Sequence, residues 1–364
     1  MASAIPIRRA LLSLGLLAMA GLPLPAQAEK EQGPRVELEE GLQVRLDQQL
    51  RAGDPATVRL RRGRVGVRLR GLEWVRGSVE VSFDGVTLLP GPVRGPSPAL
   101  HEASATFTVL PHQVWLSVGW FRPQLGRESL TSGFVVDSLD KAFTQGPLRQ
   151  YLTGAGAGRA PGLDVGGLVL RQGWSVRYDA GVVMARPGPE GEGRPPLLLA
   201  RAALTLGMPE AETYALGLPM NDLGLRQGLT LALQGSTDAV GDAHSLGVDA
   251  LLRLRPVVLS AELHQVASAG GRALLAHVRA GVNLPGPGAT VMEPWVMVAR
   301  TAGEGLEDSA RGLRLEGGLS WYVDHHAVRA TLGGSWRPSP RDATSGAASP
   351  APTGLLGLSL QHRR

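Results

Sequence analysis

The feature that most constrains how this chain can fold is a period-two alternation of apolar and polar residues, repeated in segments about ten residues long. In "SVEVSFDG", which begins at Ser78, the two valines and the phenylalanine fall on one face of a strand, and the acids and the second serine fall on the other. Successive side chains of a strand point to opposite faces, so such a segment builds a sheet with one apolar and one polar face. About sixteen segments of this kind follow one another, separated by Pro- and Gly-rich connectors such as "RPGPEGEGRPP".

Composition supports a protein made of strands and turns. The 364 residues include 49 glycines and 27 prolines, and many glycines lie inside the apolar segments. Because glycine weakens helix interiors, this usage argues against an all-α protein. Cysteine is absent, so an exported chain of this length must gain its stability from a large core or a closed barrel rather than from disulfides.

The first residues have the three-part pattern of a secretory signal peptide. Arg8 and Arg9 precede an apolar stretch, and Ala26-Gln27-Ala28 forms a small-residue cleavage site. The apolar stretch is shorter than the ~20 residues that a membrane-spanning helix needs. The sequence therefore predicts a signal peptide at residues 1–28, a short acidic lead-in at residues 29–40, and one β-domain over residues 41–364.

The strand rhythm predicts an all-β fold, namely a transmembrane antiparallel β-barrel of about 16 strands with a long loop folded inward. Short and long connectors alternate along the chain, and one face of each strand is apolar while the other carries Arg, Glu, Asp, Ser, Thr or Gly. A lipid-facing outside and a wet lumen produce this pattern, and backbone hydrogen bonding in lipid then requires closure. A soluble periplasmic β-sandwich also alternates and remains the competing fold.

The arginine-rich stretch "RLRRGRVGVRLRG", residues 59–71, contains six arginines and no acid. The phase of its alternation shifts at Arg62-Gly63, which predicts a β-bulge at Gly63. On the lipid face such arginines would each cost about 2–4 kcal/mol near the midplane, so they should face water. The shift places five of them on one polar face: Arg59, Arg61, Arg64, Arg68 and Arg70.

Three interpretations of this arginine face are open. Its members could simply pair with facing acids such as Glu80, Asp84 and Glu316 on a lumen wall. They could instead form a path for anions, since the planar guanidinium binds oxyanions bidentately and rows of arginine favour anions in pores. A nucleic-acid site is the third interpretation, which export and the lack of interleaved aromatic residues oppose.

Three stretches resemble the phosphate-selective porins O and P of Gram-negative outer membranes. In "LRRGRVGVRLRGLEWVRGSVEVSFDG" an Arg-Arg pair opens a strand and a Trp closes it. In "GWFRPQLGRESLTSGF" a strand and turn lead into a long loop that starts with Glu-x-Leu-Thr-Ser. The third stretch is "GVDALLRLRPVVLSAELHQ", followed by "MEPWVMVAR". The resemblance is strongest over residues 60–143, and the chain departs from the family in having only one lysine after residue 30 and no terminal aromatic residue.

The resemblance implies a sixteen-stranded barrel, usually a homotrimer, that passes small anions in the outer membrane. The loop from Arg127 to Pro161 then matches the family's inward-folded constriction loop. Arg122, Arg127 and Lys141 are the basic residues that this match places near the constriction.

The expected function is a passive outer-membrane porin with a modest preference for anions, phosphate among them, whose partners are membrane lipid and small solutes. Its alternatives are a non-conducting structural or adhesion barrel and the soluble sandwich. No catalytic residue, cofactor or metal site is predicted, because Ser and His lack a nucleophile motif and Asp324-His325-His326 is typical of a turn.

Overall fold

The computed structural model describes residues 33–363 except 51–53, 71, 73, 91–94, 96–97, 112, 155–157, 186–192, 220, 269–270, 305, 307–309 and 339–352. The predicted signal peptide, residues 1–28, lies outside the described residues. No helix in the described part of the chain has the length and hydropathy of a membrane span.

The described chain is dominated by strands. In chain order they are β1 Arg35–Gln49, β2 Thr57–Arg70, β3 Val75–Ser82, β4 Ala99–Leu110, β5 Val114–Phe121, β6 Ala160–Arg171, β7 Trp174–Val183, β8 Leu197–Gly207, β9 Gly228–Asp238, β10 His244–Leu254, β11 Val257–Ser268, β12 Gly271–Val282, β13 Val291–Gly303, β14 Gly312–Asp324, β15 Val328–Arg337 and β16 Thr353–Arg363. Two short helices lie between β5 and β6: α1 Arg127–Leu130 and α2 Gln145–Thr153.

The strands form one closed antiparallel barrel of 16 strands, as the sequence predicted. Each strand pairs with its neighbours in the chain, and β16 pairs with β1 to close the ring. Two barrel strands are interrupted: Val86–Leu89 continues β3 along β2, and Leu284–Pro285 continues β12 along β13. Closure leaves no sheet edge unpaired, which is the condition for crossing a bilayer with strands.

The alternation in the sequence separates an apolar outer surface from a polar lumen. On β9, for example, the outward Leu231 and Leu233 are 52% and 60% exposed, whereas Thr230 and Gln234, which flank them in the chain, face the lumen and are buried. The same alternation on the other strands puts charged residues such as Asp249 inside. An apolar outer surface on a closed barrel is an outer-membrane architecture, so the protein is an outer-membrane barrel.

The two ends of the barrel differ in the length of their connections. The first strand begins and the last strand ends at the turn end, where six of the seven connections are two to five residues long. The seventh, residues 208–227 between β8 and β9, is 20 residues long. At the loop end the connections run from two residues to the 38 residues of 122–159. We call residues 122–159 the long loop and residues 208–227 the inner turn.

Two details differ from the sequence expectation. The stretch predicted as a lead-in, residues 29–40, overlaps β1, which begins at Arg35. The β-bulge in the arginine stretch lies at Arg61 rather than at Gly63, because Gln43 of β1 pairs with Arg62 and the next residue, Val44, pairs with Leu60. Composition could not place the bulge, because that depends on the pairing with β1.

Candidate functional site

The long loop folds into the barrel and packs against an apolar part of the inner wall. Its Leu125, Leu148 and Leu152 are fully buried against lumen-facing apolar residues of five strands. These wall residues form an apolar patch on a mainly polar inner face, and they include Val183, Leu197, Leu199, Val266 and Leu275. Burial of these leucines removes apolar surface from water, which favours the inward position of the loop.

Charged contacts fix the start of the loop to the wall formed by β10 and β12. The Arg127 guanidinium donates to Asp249 on β10 at 2.8 Å. Glu128 accepts from Arg279 at 2.7 Å and lies 3.1 Å from a ring nitrogen of His277, both on β12. Burial alone would raise the pKa of Glu128, but Arg279 and His277 hold it well below its usual range. Because these charges are buried and paired, they fix the position of the loop.

The middle of the loop is held on the opposite wall by Asp140. Its carboxylate accepts hydrogen bonds from Arg45 on β1 and from Arg61 on β2, and Arg62 lies 3.3 Å from it. Burial alone would raise the pKa of Asp140, but Arg61, Arg45 and Arg62 hold it well below its usual range. Part of the arginine stretch therefore positions the loop.

All six arginines of the stretch lie on the lumen side, and each has a carboxylate partner. Arg61 reaches the lumen from the bulge. The partners are Asp47 for Arg59, Asp140 for Arg61 and Arg62, Asp84 for Arg64, Glu39 for Arg68 and Glu37 for Arg70. Glu80 also lies 3.7 Å from Arg64. The face therefore has the ion pairs that the lumen-wall interpretation expects, with Glu80 and Asp84 among the predicted partners.

The inner turn enters the lumen from the turn end and docks through Tyr214. The ring of Tyr214 stacks on Trp115 of β5 with a centroid distance of 5.1 Å. Its hydroxyl lies 2.9 Å from the carboxylate of Asp164 and 2.8 Å from that of Asp179. Arg177 donates to the carbonyl of Gly217 at 2.8 Å. Sequence reasoning gave this connection no role, although its length at this end was the available signal.

The two inserted segments meet inside the barrel. The Arg127 guanidinium donates two hydrogen bonds to Glu210 of the inner turn, at 2.9 and 2.8 Å. Thr131 and Leu218 form an isolated parallel bridge between the two segments. Burial alone would raise the pKa of Glu210, but Arg127 holds it at about 2, below the ordinary 4.5. The stabilisation from this ion pair is therefore fully present above pH 4.5 and is lost as the pH falls through about 2.

A cavity of about 280 Å³ lies between the long loop, the inner turn and the wall of β1 to β4. Six arginines and three glutamates line it, which leaves an excess of three positive charges. Burial, together with Arg64 and Arg149 nearby, lowers the pKa of Arg122 to about 10, so this guanidinium stays charged at neutral pH. We call this cavity the passage. Its charged lining is Arg64, Arg68, Arg122, Arg159, Arg177, Arg363, Glu39, Glu80 and Glu102.

Only part of the predicted set lines the passage. Arg64, Arg68 and Arg122 do, whereas the other predicted residues lie outside it and make the contacts described above: Arg59, Arg61, Arg70 and Arg127. Lys141 also lies outside it and donates to the carbonyls of Glu128 and Ser129.

Three lining arginines were not predicted. Arg177 could have been predicted to face the lumen, because it occupies an alternating position on β7. Arg363 continues the alternation of Ser359 and Gln361 on β16, and Arg159 lies within the loop that the resemblance matches to a constriction, so both also had a signal in the sequence.

Within the described ranges, no three His, Asp or Glu side chains are grouped so that they could hold an ion. His325 and His326 lie in the connection between β14 and β15, and a ring nitrogen of His326 lies 2.8 Å from the carbonyl oxygen of Asn221 in the inner turn.

No protein-family model and no curated protein matches this sequence. Solved structures of outer-membrane proteins share the fold. The chain is 13% identical to the outer membrane channel DcaP of Acinetobacter baumannii, with a TM-score of 0.55 over 93% of this chain and 100% of that one. It is 13% identical to an anion-selective porin from Comamonas acidovorans, with a TM-score of 0.57 over 91% and 100%. It is 12% identical to Salmonella typhi OmpF in complex with daunomycin, with a TM-score of 0.56 over 90% and 98%.

Proposed function

We propose that this protein is a passive diffusion channel of the outer membrane, for small hydrophilic solutes and with a modest preference for anions. The observation that carries the proposal is the passage inside a closed barrel, lined by six arginines and three glutamates. Arginine rows favour anions in pores, and the guanidinium fork binds carboxylate and phosphate oxygens in pairs. The similar channels and porins named above support this assignment through their fold.

The three glutamates are the reason to expect only a modest preference for anions. Glu39 pairs with Arg68 at 2.7 Å and Glu80 lies 3.7 Å from Arg64, so part of the positive charge is already balanced. A passing anion must compete with these carboxylates, which weakens its binding and lets it leave again. Phosphate, the solute of the family that the sequence resembles, is one anion to test. The proposed transport breaks no covalent bond and uses no cofactor.

Trimer formation is a further part of the proposal. The resemblance to the phosphate-selective porins implies a homotrimer, and the apolar outer surface of the barrel is available to lipid or to a second copy. The mass of the folded protein in detergent measures this directly.

A non-conducting barrel is the second candidate, and one observation favours it. The long loop and the inner turn enter from opposite ends and meet at Thr131 and Leu218, so little of the lumen stays open along that line. Conductance separates the two candidates. Folded protein that inserts into planar bilayers without producing current steps would establish the structural barrel and refute the channel.

Reversal potentials in a salt gradient test the preference for anions. The wild-type channel should favour anions, and Arg64→Ala with Arg68→Ala should roughly halve the anion-to-cation permeability ratio, because these two guanidiniums line the passage. Arg300→Ala is the matched control, since Arg300 lies on the outer face of β13. An unchanged permeability ratio in the double variant would show that these two arginines form part of the lumen wall but do not affect ion selectivity.

A further inference from the structure

The passage has two chemically different walls. On one side lie guanidiniums of the barrel wall and the long loop, among them Arg64, Arg68 and Arg122. On the other side lies the inner turn, whose lining side chains are apolar apart from Thr213: Ala211, Ala215, Leu216, Leu218 and Pro219. An apolar wall cannot replace the water molecules that a small inorganic ion sheds, whereas it can cover an apolar group of a solute.

The apolar wall is held firmly in place. Tyr214, between its alanines, is 1% exposed and stacks on Trp115. Arg76 donates to the Tyr214 carbonyl at 3.0 Å, and the side chain of Gln124 accepts from the Gly217 amide at 3.3 Å. A surface fixed from both sides keeps its apolar residues turned toward the arginines without an ordering cost when a solute arrives.

We infer that the passage binds organic anions that carry an apolar group, such as aryl or alkyl carboxylates, more tightly than inorganic anions or acetate. The carboxylate meets the arginine wall, while the ring or alkyl chain lies on the inner turn and leaves water. The cavity, about 280 Å³, is near the lower limit of small-molecule sites, which matches a solute of one ring or a short chain. This inference rests on the proposed anion-conducting function.

The test measures block of the chloride current through single wild-type channels at neutral pH by added benzoate and by added acetate. Both probes carry one carboxylate, so the arginine wall treats them alike and the difference between them reports the apolar wall. Benzoate should block at about one tenth of the acetate concentration, because its ring buries apolar area on the inner turn. Equal blocking concentrations would overturn the inference.

Two variants locate the effect on the inner turn. Leu216→Asn should reduce the benzoate-to-acetate ratio to about threefold or less, because it makes the apolar wall polar. Ala215→Asn, a neutral change at an exposed position, should lower the ratio in the same direction, because it also makes the apolar wall polar. Leu225→Asn is the matched control, since Leu225 lies on the same segment, is 67% exposed and does not line the passage.

The outcomes are distinguishable. If the channels conduct and prefer anions, but Leu216→Asn and Ala215→Asn both keep the wild-type benzoate-to-acetate ratio, the inference is overturned and the proposed function stands. Absence of current steps, or a preference for cations in the salt gradient, overturns the proposed function, and the inference falls with it.

Discussion

Asp140 holds the middle of the long loop against the wall through three guanidiniums. One carboxylate is shared by Arg45, Arg61 and Arg62, which belong to two strands of the wall. These arginines stand so close together that, without the carboxylate, they would repel one another and the loop alike. Asp140 thus balances the positive charges of this part of the wall and attaches the long loop to it.

Asp140→Asn should release this part of the loop. We expect the free energy of unfolding to fall by about 1–3 kcal/mol, because a hydrogen-bonded charge is lost beside partly buried guanidiniums. Unfolding by urea in lipid vesicles measures this, and single-channel recordings should show added current noise. The control is Asp242→Asn, an exposed carboxylate at the loop end. Wild-type stability together with a quiet current would mean that Asp140 does not hold the loop.

At the scale of elements, the inner turn is the part of the fold that departs most from an ordinary barrel. Gly207 of β8 and Gly228 of β9 are paired directly across from each other, so the two strands could be joined by a tight hairpin. The 20 residues placed there instead reach across the lumen to the long loop. The hairpin itself does not need them, so their contacts in the lumen are the reason to look for a role.

Replacing residues 208–227 by Asn-Gly tests that role. A two-residue type I′ turn suits the register of the hairpin, so the barrel should still form. We expect single-channel conductance to rise about twofold, since one wall of the passage is removed. Replacing residues 286–290 by the same dipeptide is the control, because Pro285 and Val291 are likewise in register. Unchanged conductance in the first variant would show that the inner turn does not limit the current.

The sequence predicted the elements better than it predicted the site. Alternation specifies which residues of a strand share a face, so the barrel and the lumen side of Arg64 and Arg68 followed directly. Alternation does not predict which residues form ion pairs, because Asp140 lies far along the chain from Arg45 and Arg61. The inner turn was missed for the same reason. Its residues have no period, and only the three-dimensional path of the chain brings Tyr214 to Trp115.

The distribution of tryptophans shows the same limit. A barrel often carries aromatic residues at its two interfaces, and Trp74, Trp174 and Trp336 are indeed exposed. Trp115 and Trp295, which the sequence offers equally for that position, face the lumen instead and are 4% and 2% exposed. Apolar character alone cannot distinguish the lipid side from a site where a loop docks.

At the scale of the whole molecule, the outer surface of the barrel should tolerate charge poorly. Leu233→Arg, in the middle of β9 and outward-facing, should lower the free energy of unfolding by about 2–4 kcal/mol in lipid vesicles. The same change at Leu225, on the inner turn and 67% exposed, should have little effect. Equal stability of both variants would argue against contact between this face of β9 and lipid.

The long loop also bears on how the barrel closes. Phe134 lies over the junction of the first and last strands: its ring occupies the space where a side chain at Gly41 would be, and its carbonyl accepts from Gln361 at 2.8 Å. Gly41 is paired with Arg363 across that junction. The long loop therefore contacts both β1 and β16 and holds these two strands together. Since Phe134 contacts both strands, we expect its docking to oppose separation of β1 from β16, the pairing that closes the ring.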